Sequence, residues 1–220
     1  MCCVHDKNVN HPREVYQYLR DEIQAEFIQF IPILNQRTGK DGQETSQLSA
    51  CSVDGPSYGR FLIKIFDEWV QNDVGRVFIQ HFDLALGTYL GYPSSLCVFA
   101  ETCGQALVLE HNGDLYSCDH FVNPEHFLGN LSKIPLLDLV ESPQQHKFGQ
   151  NKRDTLPEIC NDCEFRFLCN GGCPKNRDAS GRNLLCEGYR SFFNHIDPIM
   201  RTMATLIHQG HSPEDVMRSI

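Results

Sequence analysis

The segment CNDCEFRFLCNGGCP, residues 160 to 174, sets cysteines at 160, 163, 169 and 173 in the spacing C-x2-C-x5-C-x3-C-P. Thiolates are soft ligands suited to zinc and to iron–sulfur clusters. A four-thiolate zinc site usually pairs two knuckles across a longer loop, and C-x3-C is the less usual second knuckle. The ferredoxin run C-x2-C-x2-C-x3-C-P is a closer comparison, and in it the cysteine before the proline ligates a different cluster from its neighbours. Cys173 stands before Pro174 in that way. If Cys173 leaves the local group, Cys160, Cys163 and Cys169 need a fourth ligand, and Cys186 is the only later cysteine. Cys173 then joins Cys97, Cys103 and Cys118, leaving Cys2, Cys3 and Cys51 over. Spacing alone keeps three chemistries open: two clusters, one or two zinc ions, or redox-active and incidental thiols.

The rest of the composition narrows the setting. The chain has 220 residues, 41% of them apolar, enough for a real core. Its formal charge of −9 speaks against nucleic acid as a partner, because such surfaces cluster Lys and Arg. The start, MCCVHDKNVN, lacks a basic segment followed by an apolar one, and no run approaches the roughly 18 apolar residues of a membrane span. The expectation is a cytoplasmic protein without a membrane partner. In that compartment eleven cysteines read as ligands or reactive thiols rather than disulfides.

The elements that must position these residues fall into two segments. Pro12, with Val15, Leu19, Ile23 and Phe27 at four-residue spacing, predicts a helix over 10–26. FIQFIPIL (27–34) reads as a buried strand, 35–56 as a surface loop, and Phe61 to Val70 as a helix. RVFIQHFD (76–83) reads as a strand with a helix around 83–91 after it. With a strand at 1–4 this is a β-α-β-α-β-α pattern, the signature of a parallel sheet. Residues 1–92 are therefore expected to be the back half of a larger α/β barrel-like domain. Residues 93–220 form the second segment. There, ALVLEHNGDLYSC (106–118) predicts a hairpin turning at Asn112-Gly113, a helix spans about 135–148, and a helical face from Tyr189 to Ile207 is broken or kinked near Pro198. A short last helix opens at Ser212-Pro213.

CVFAETCGQALVLEHNGDLYSCDHFV (97–122), LGNL (128–131) and CNDCEFRFLCNGGCPKNR with Cys186 resemble the SPASM domain of anaerobic sulfatase-maturating enzymes, which are radical S-adenosylmethionine proteins. The resemblance continues upstream through EFIQFIPIL, YGRFLIKIFDEW and DVGRVFIQHFD, and so covers essentially the whole chain. It implies an α/β fold made of the rear of a partial (β/α)6 barrel, followed by a small cysteine-rich α+β domain with two auxiliary 4Fe-4S clusters. The implied ligands are Cys97, Cys103, Cys118 and Cys173 for one cluster, and Cys160, Cys163, Cys169 and Cys186 for the other. The implied reaction is oxidation of a Cys or Ser of a sulfatase polypeptide to Cα-formylglycine. Electrons would pass to or from a donor such as flavodoxin or ferredoxin. Asp119, directly after Cys118, takes the place of the base that deprotonates the substrate side chain.

The triplet C-x3-C-x2-C, which holds the radical-generating third 4Fe-4S cluster with S-adenosylmethionine in this family, does not occur in these residues. The chain is accordingly expected to be the C-terminal portion of such a maturase and to lack activity alone. Two other functions are weighed beside it: a zinc-stabilised peptide-binding module without a redox role, and a SPASM maturase of a different peptide. The ten histidines show no paired-ligand spacing, and His120 beside Asp119 is the one that bears on the site.

Overall fold

The computed structural model describes residues 1–38 and 44–218. The chain divides into two compact units, Met1–Pro93 with Leu184–Ile220, and Ser94–Asn183.

In the first unit, β1 (Cys2–Val4) leads to α1 (Pro12–Gln17), which runs on into a π-helical turn, Tyr18–Glu22. β2 (Phe27–Ile28) and β3 (Phe30–Pro32) follow almost as one strand. β1 pairs with β3 and β2 with a later strand, both in parallel, with Cys2 opposite Phe30 and Phe27 opposite Phe78. Parallel neighbours need crossovers, and helices supply them. The helix expected over 10–26 ends earlier, because Gln24 adopts a left-handed φ of 57°. Ile23 and Phe27, expected on its apolar face, are 55% and 73% exposed.

Within the segment expected to be a loop, β4 (Gln36–Thr38) and β5 (Glu44–Leu48) form an antiparallel pair. Residues 39–43 of that expected loop lie outside the described residues. Both strands are polar, so no hydrophobic alternation announced them.

α2 (Gly55–Asn72) starts where Asp54 accepts a hydrogen bond from the Ser57 amide at 2.8 Å. Its face of Phe61, Leu62, Ile65, Phe66, Trp69 and Val70 is buried, as the helical period predicted, and Tyr58 is buried with them. β6 (Phe78–Ile79) gives way to α3 (Gln80–Tyr89), so the expected strand over 76–83 is cut short by a helix that begins at its middle.

The second unit contains β7 (Val108–Leu109), β8 (Asp114–Tyr116) and β9 (Phe127–Asn130) in one antiparallel sheet. The hairpin turns at Asn112-Gly113 as predicted, with Leu109 opposite Leu115. β9 was not foreseen. Its Gly129 opposite Leu115 deprives the short strand FLGN of a two-residue pattern. α4 (Leu136–Val140), α5 (Pro143–Asp154), α6 (Glu158–Asn161) and α7 (Arg166–Cys169) complete the unit.

α8 (Cys186–His208) returns to the first unit, whereas the sequence grouped all of 93–220 together. Its buried Tyr189, Phe192, Phe193, Ile196, Met200 and Met203 need an apolar partner, and α2 offers one. Gly59 and Gly188 permit the contact: a Cβ on Gly59 would lie 2.6 Å from the Cα of Gly188. The helix continues through Pro198 rather than breaking there. The expected short last helix opens at Pro213 and runs to Arg218, as a 3-10 helix. Among the described residues no helix is long and apolar enough to cross a membrane.

Candidate metal centre

Seven of the eight sequence-predicted ligands lie in the second unit: Cys97, Cys103, Cys118, Cys160, Cys163, Cys169 and Cys173. Cys186 is the first residue of α8 in the other unit. None of these cysteines stands in a disulfide. Cys97 and Cys103 stand on irregular backbone, and Cys118 lies two residues beyond β8. Cys160 is on α6, Cys163 follows it, and Cys169 ends α7. From Cys169 to Cys173 the chain reverses through three residues of positive φ, Asn170 (45°), Gly171 (72°) and Gly172 (62°). At Gly172 the positive φ favours glycine, and a Cβ there would also lie 2.4 Å from the side-chain Nδ2 of Asn183.

Irregular loops need something to fix them, and α5 does so with a polar inner face. Ser142 caps the helix by accepting from the Gln145 amide at 3.2 Å, and Pro143 sits in its first turn. Gln145, Gly149 and Lys152, spaced four and three apart, are its buried residues. Gln145 donates through Nε2 to the carbonyls of Gly104 at 2.6 Å and Ser117 at 3.3 Å, the neighbours of Cys103 and Cys118. The Gly149 carbonyl accepts from the Cys103 amide at 3.2 Å. Lys152, 1% exposed, donates through Nζ to the carbonyls of Cys97 at 2.6 Å, Val98 at 2.9 Å and Ala100. One helix thus holds the backbone beside three of the four cysteines in the first predicted set. Asn170 adds a tie from the other side, donating to the Phe99 carbonyl at 2.8 Å.

The electrostatics group the thiols. Burial pushes the Cys103 thiol up, with Cys173 and Cys97 adding to the shift and Lys152 opposing it. Burial also raises Cys173, and Cys97 adds to that. Cys118 is pushed up to about 12 by burial first, then by the Asp119 carboxylate and Cys173, against a backbone hydrogen bond from His120. Cys103, Cys118 and Cys173 therefore resist ionisation, and a bound cationic centre is what would let them carry thiolate charge. The Cys118 Sγ lies 3.2 Å from Asp119 Oδ1, and the Cys173 Sγ lies 3.4 Å from His120 Nδ1. Ligand atoms of Cys118, Asp119 and His120 all fall within 4.8 Å of one another. A soft, thiol-rich donor set on a glycine-bent backbone with buried cations beside it fits an iron–sulfur cluster.

Two cations complete the surroundings, and the sequence reading did not find them. Burial lowers the pKa of Lys152 to about 8, against the pull of Cys103, Cys97 and Cys173. Burial likewise lowers Arg177, against Cys160, Cys173, Cys103 and Cys169. Arg177 is pinned by donating to the carbonyls of Lys152 at 2.9 Å and Gly171 at 3.2 Å. The signal for Lys152 was available: a helix whose inward stripe is Gln, Gly and Lys must be holding polar groups.

The comparisons agree with the geometry. The SPASM family, an iron-sulfur cluster-binding domain, matches residues 97–164. A serine-type anaerobic sulfatase-maturating enzyme of Bacteroides thetaiotaomicron is 40% identical over all of this chain and 56% of its own length. A cysteine-type anaerobic sulfatase-maturating enzyme of Clostridium perfringens is 29% identical over 94% of this chain and 56% of its own. The solved structure of native anSMEcpe with bound AdoMet and Cp18Cys peptide superposes with a TM-score of 0.81 at 31% identity, covering 94% of this chain and 57% of that one. The chain spans about half the length of the curated relatives it matches.

Proposed function

We propose, on the premise that this chain is a relative of the anaerobic sulfatase-maturating enzymes, that it is the C-terminal portion of a radical S-adenosylmethionine maturase. That maturase oxidises a Cys or Ser of a sulfatase polypeptide to Cα-formylglycine. The observation that carries the reading is the group of Cys97, Cys103, Cys118 and Cys173 with the Asp119 carboxylate 3.2 Å from the Cys118 sulfur.

On this reading Cys97, Cys103, Cys118 and Cys173 hold one 4Fe-4S cluster. Cys160, Cys163 and Cys169 hold part of a second, for which the sequence pattern names Cys186 as fourth ligand. When bound, the clusters supply one-electron redox capacity, with flavodoxin or ferredoxin as exchange partner. The residues of the chain do the rest. α5 keeps three of the thiol-bearing loops in place, and Asp119 accepts the proton of the substrate thiol or hydroxyl, so that a radical at the adjoining carbon is more easily oxidised.

The partial-barrel reading is supported by the parallel pairs and their helical crossovers. Phe27 and Phe78 add to it: they stack at 5.1 Å yet are 73% and 40% exposed, although parallel sheets are normally covered on both faces. S-adenosylmethionine and the radical-generating cluster belong on this reading to the portion bearing the C-x3-C-x2-C triplet, which these residues do not contain.

The test joins this chain to the N-terminal portion of the Bacteroides relative and supplies a sulfatase peptide, S-adenosylmethionine and a reductant anaerobically. Mass spectrometry of the peptide is expected to find the aldehyde. Cleavage of S-adenosylmethionine without aldehyde, on both Cys and Ser peptides, would point to a maturase of another peptide. One observation favours a mononuclear-metal reading: the compact Cys118, Asp119 and His120 group would also suit a single zinc, which metal analysis separates from iron.

A further inference from the structure

A buried cation, Lys152, and a half-buried one, Arg177, stand beside the thiols, and their surroundings overlap only in part. Lys152 places its ammonium among the carbonyls of Cys97, Val98 and Ala100, with the sulfurs of Cys103, Cys97 and Cys173 in its surroundings. Every one of those thiols belongs to the first predicted set. The Arg177 guanidinium donates to the carbonyl of Gly171, which lies two residues from Cys169 of the second set and two from Cys173 of the first, and its electrostatic surroundings include Cys160 and Cys103 as well. Its position is fixed by the carbonyls of Lys152 and Gly171. Lys152 donates to backbone carbonyls and Arg177 to two carbonyls and the Thr155 hydroxyl, neutral acceptors that leave their charge to act on the sulfurs.

Adding one electron to a thiolate-bound cluster adds one negative charge and breaks no bond. A buried cation nearby stabilises the reduced form, since net charge and hydrogen bonding set cluster potentials. We propose that Lys152 and Arg177 are positioning residues with divided duties: Lys152 anchors and eases reduction of the cluster on Cys97, Cys103, Cys118 and Cys173 alone, while Arg177 eases reduction of both clusters. This rests on the two-cluster reading above.

The experiment is a redox titration with dithionite, followed by electron paramagnetic resonance, of the full 220-residue chain after anaerobic cluster reconstitution. Lys152→Met is expected to lower the reduction equilibrium of one cluster about tenfold, equal to about 59 mV for one electron, and to leave the other unchanged. Selective loss of about half the iron supports the anchoring role equally. Lys152→Arg, which keeps the charge, should restore both iron and potential, and Arg177→Gln should lower the potential of both clusters. Unchanged potentials in Lys152→Met and Arg177→Gln would overturn the proposal. So would an equal shift of both clusters in Lys152→Met, or loss of all its iron. If Lys152→Met does not fold, Arg177→Gln decides: a shift of both clusters upholds the division, and a shift of one or none ends it. A wild-type chain holding zinc and no sulfide would show instead that the cluster reading itself has failed, and the proposal with it.

Discussion

The amide of Cys103 donates to the carbonyl of Gly149 at 3.2 Å, and a Cβ on Gly149 would lie 2.3 Å from the Cys103 carbonyl oxygen. A candidate ligand and a helix backbone are therefore in direct contact, with no room for a side chain between them. Gly149→Ala should push the Cys103 loop away at a cost of about 1–3 kcal/mol, the usual range for overpacking. The expected result is loss of about half the bound iron after reconstitution, with α-helical content retained in circular dichroism.

On the proposed function Asp119 is the proton acceptor rather than a ligand. Asp119→Asn should leave iron and sulfide content unchanged and reduce aldehyde formation in the assembled maturase by about 10²–10⁴-fold, the usual span of general base catalysis. Quantitative mass spectrometry of the sulfatase peptide measures it. Loss of iron in this variant would make Asp119 a structural or ligating residue instead.

The first unit has its own electrostatic lock. Asp73, fully buried, accepts from Tyr16 at 2.7 Å, from Arg20 at 2.9 Å and from Arg76. Burial pushes its carboxyl up, but these three donors outweigh burial and hold the pKa below its usual value. A carboxylate with a depressed folded pKa stabilises the fold above its unfolded value, near pH 3.9, and that stability is lost as pH falls through the folded value. Asp73→Ala should cost about 1–3 kcal/mol at pH 7, because it leaves the buried Tyr16 hydroxyl without its partner while Arg20 keeps Asp21 and Glu68. Urea unfolding of the wild type and variant at pH 7 and near pH 3 should show the difference narrowing in acid.

The helix pair of the first unit supplies a simpler test. Gly59→Ala would force α2 away from α8, since the Cβ would come within 2.6 Å of Gly188 backbone atoms. A loss of about 1–3 kcal/mol is expected in chemical denaturation. Ala at Gly87, which has nothing within 4 Å of its Cβ position, serves as the control and should be nearly neutral or slightly stabilising.

Sequence disclosed what periodicity and ligand spacing can carry. The face of α2 from Phe61 to Val70, a strand within the apolar run 27–34 and the turn at Asn112-Gly113 were all legible because each has a strong local pattern. The pair β4 and β5 was not, since polar strands lack alternation, and β9 was hidden by Gly129. The return of α8 to the first unit is a tertiary fact: its apolar face requires a partner, but nothing local says which one. In the candidate site the cysteines stood out by type, whereas Gln145, Lys152 and Arg177 did not. Their role depends on which carbonyls folding brings to them.

The central claim is that eight cysteines hold two clusters, and metal analysis meets it most directly. Iron, acid-labile sulfide and zinc should be measured per chain after anaerobic purification and reconstitution, in wild type and in Cys118→Ala. The account predicts about eight irons with matching sulfide in the wild type, and about four remaining in the variant. About one or two zinc ions without sulfide would contradict it, and the chain would then be a zinc-stabilised module rather than the cluster-bearing portion of a maturase.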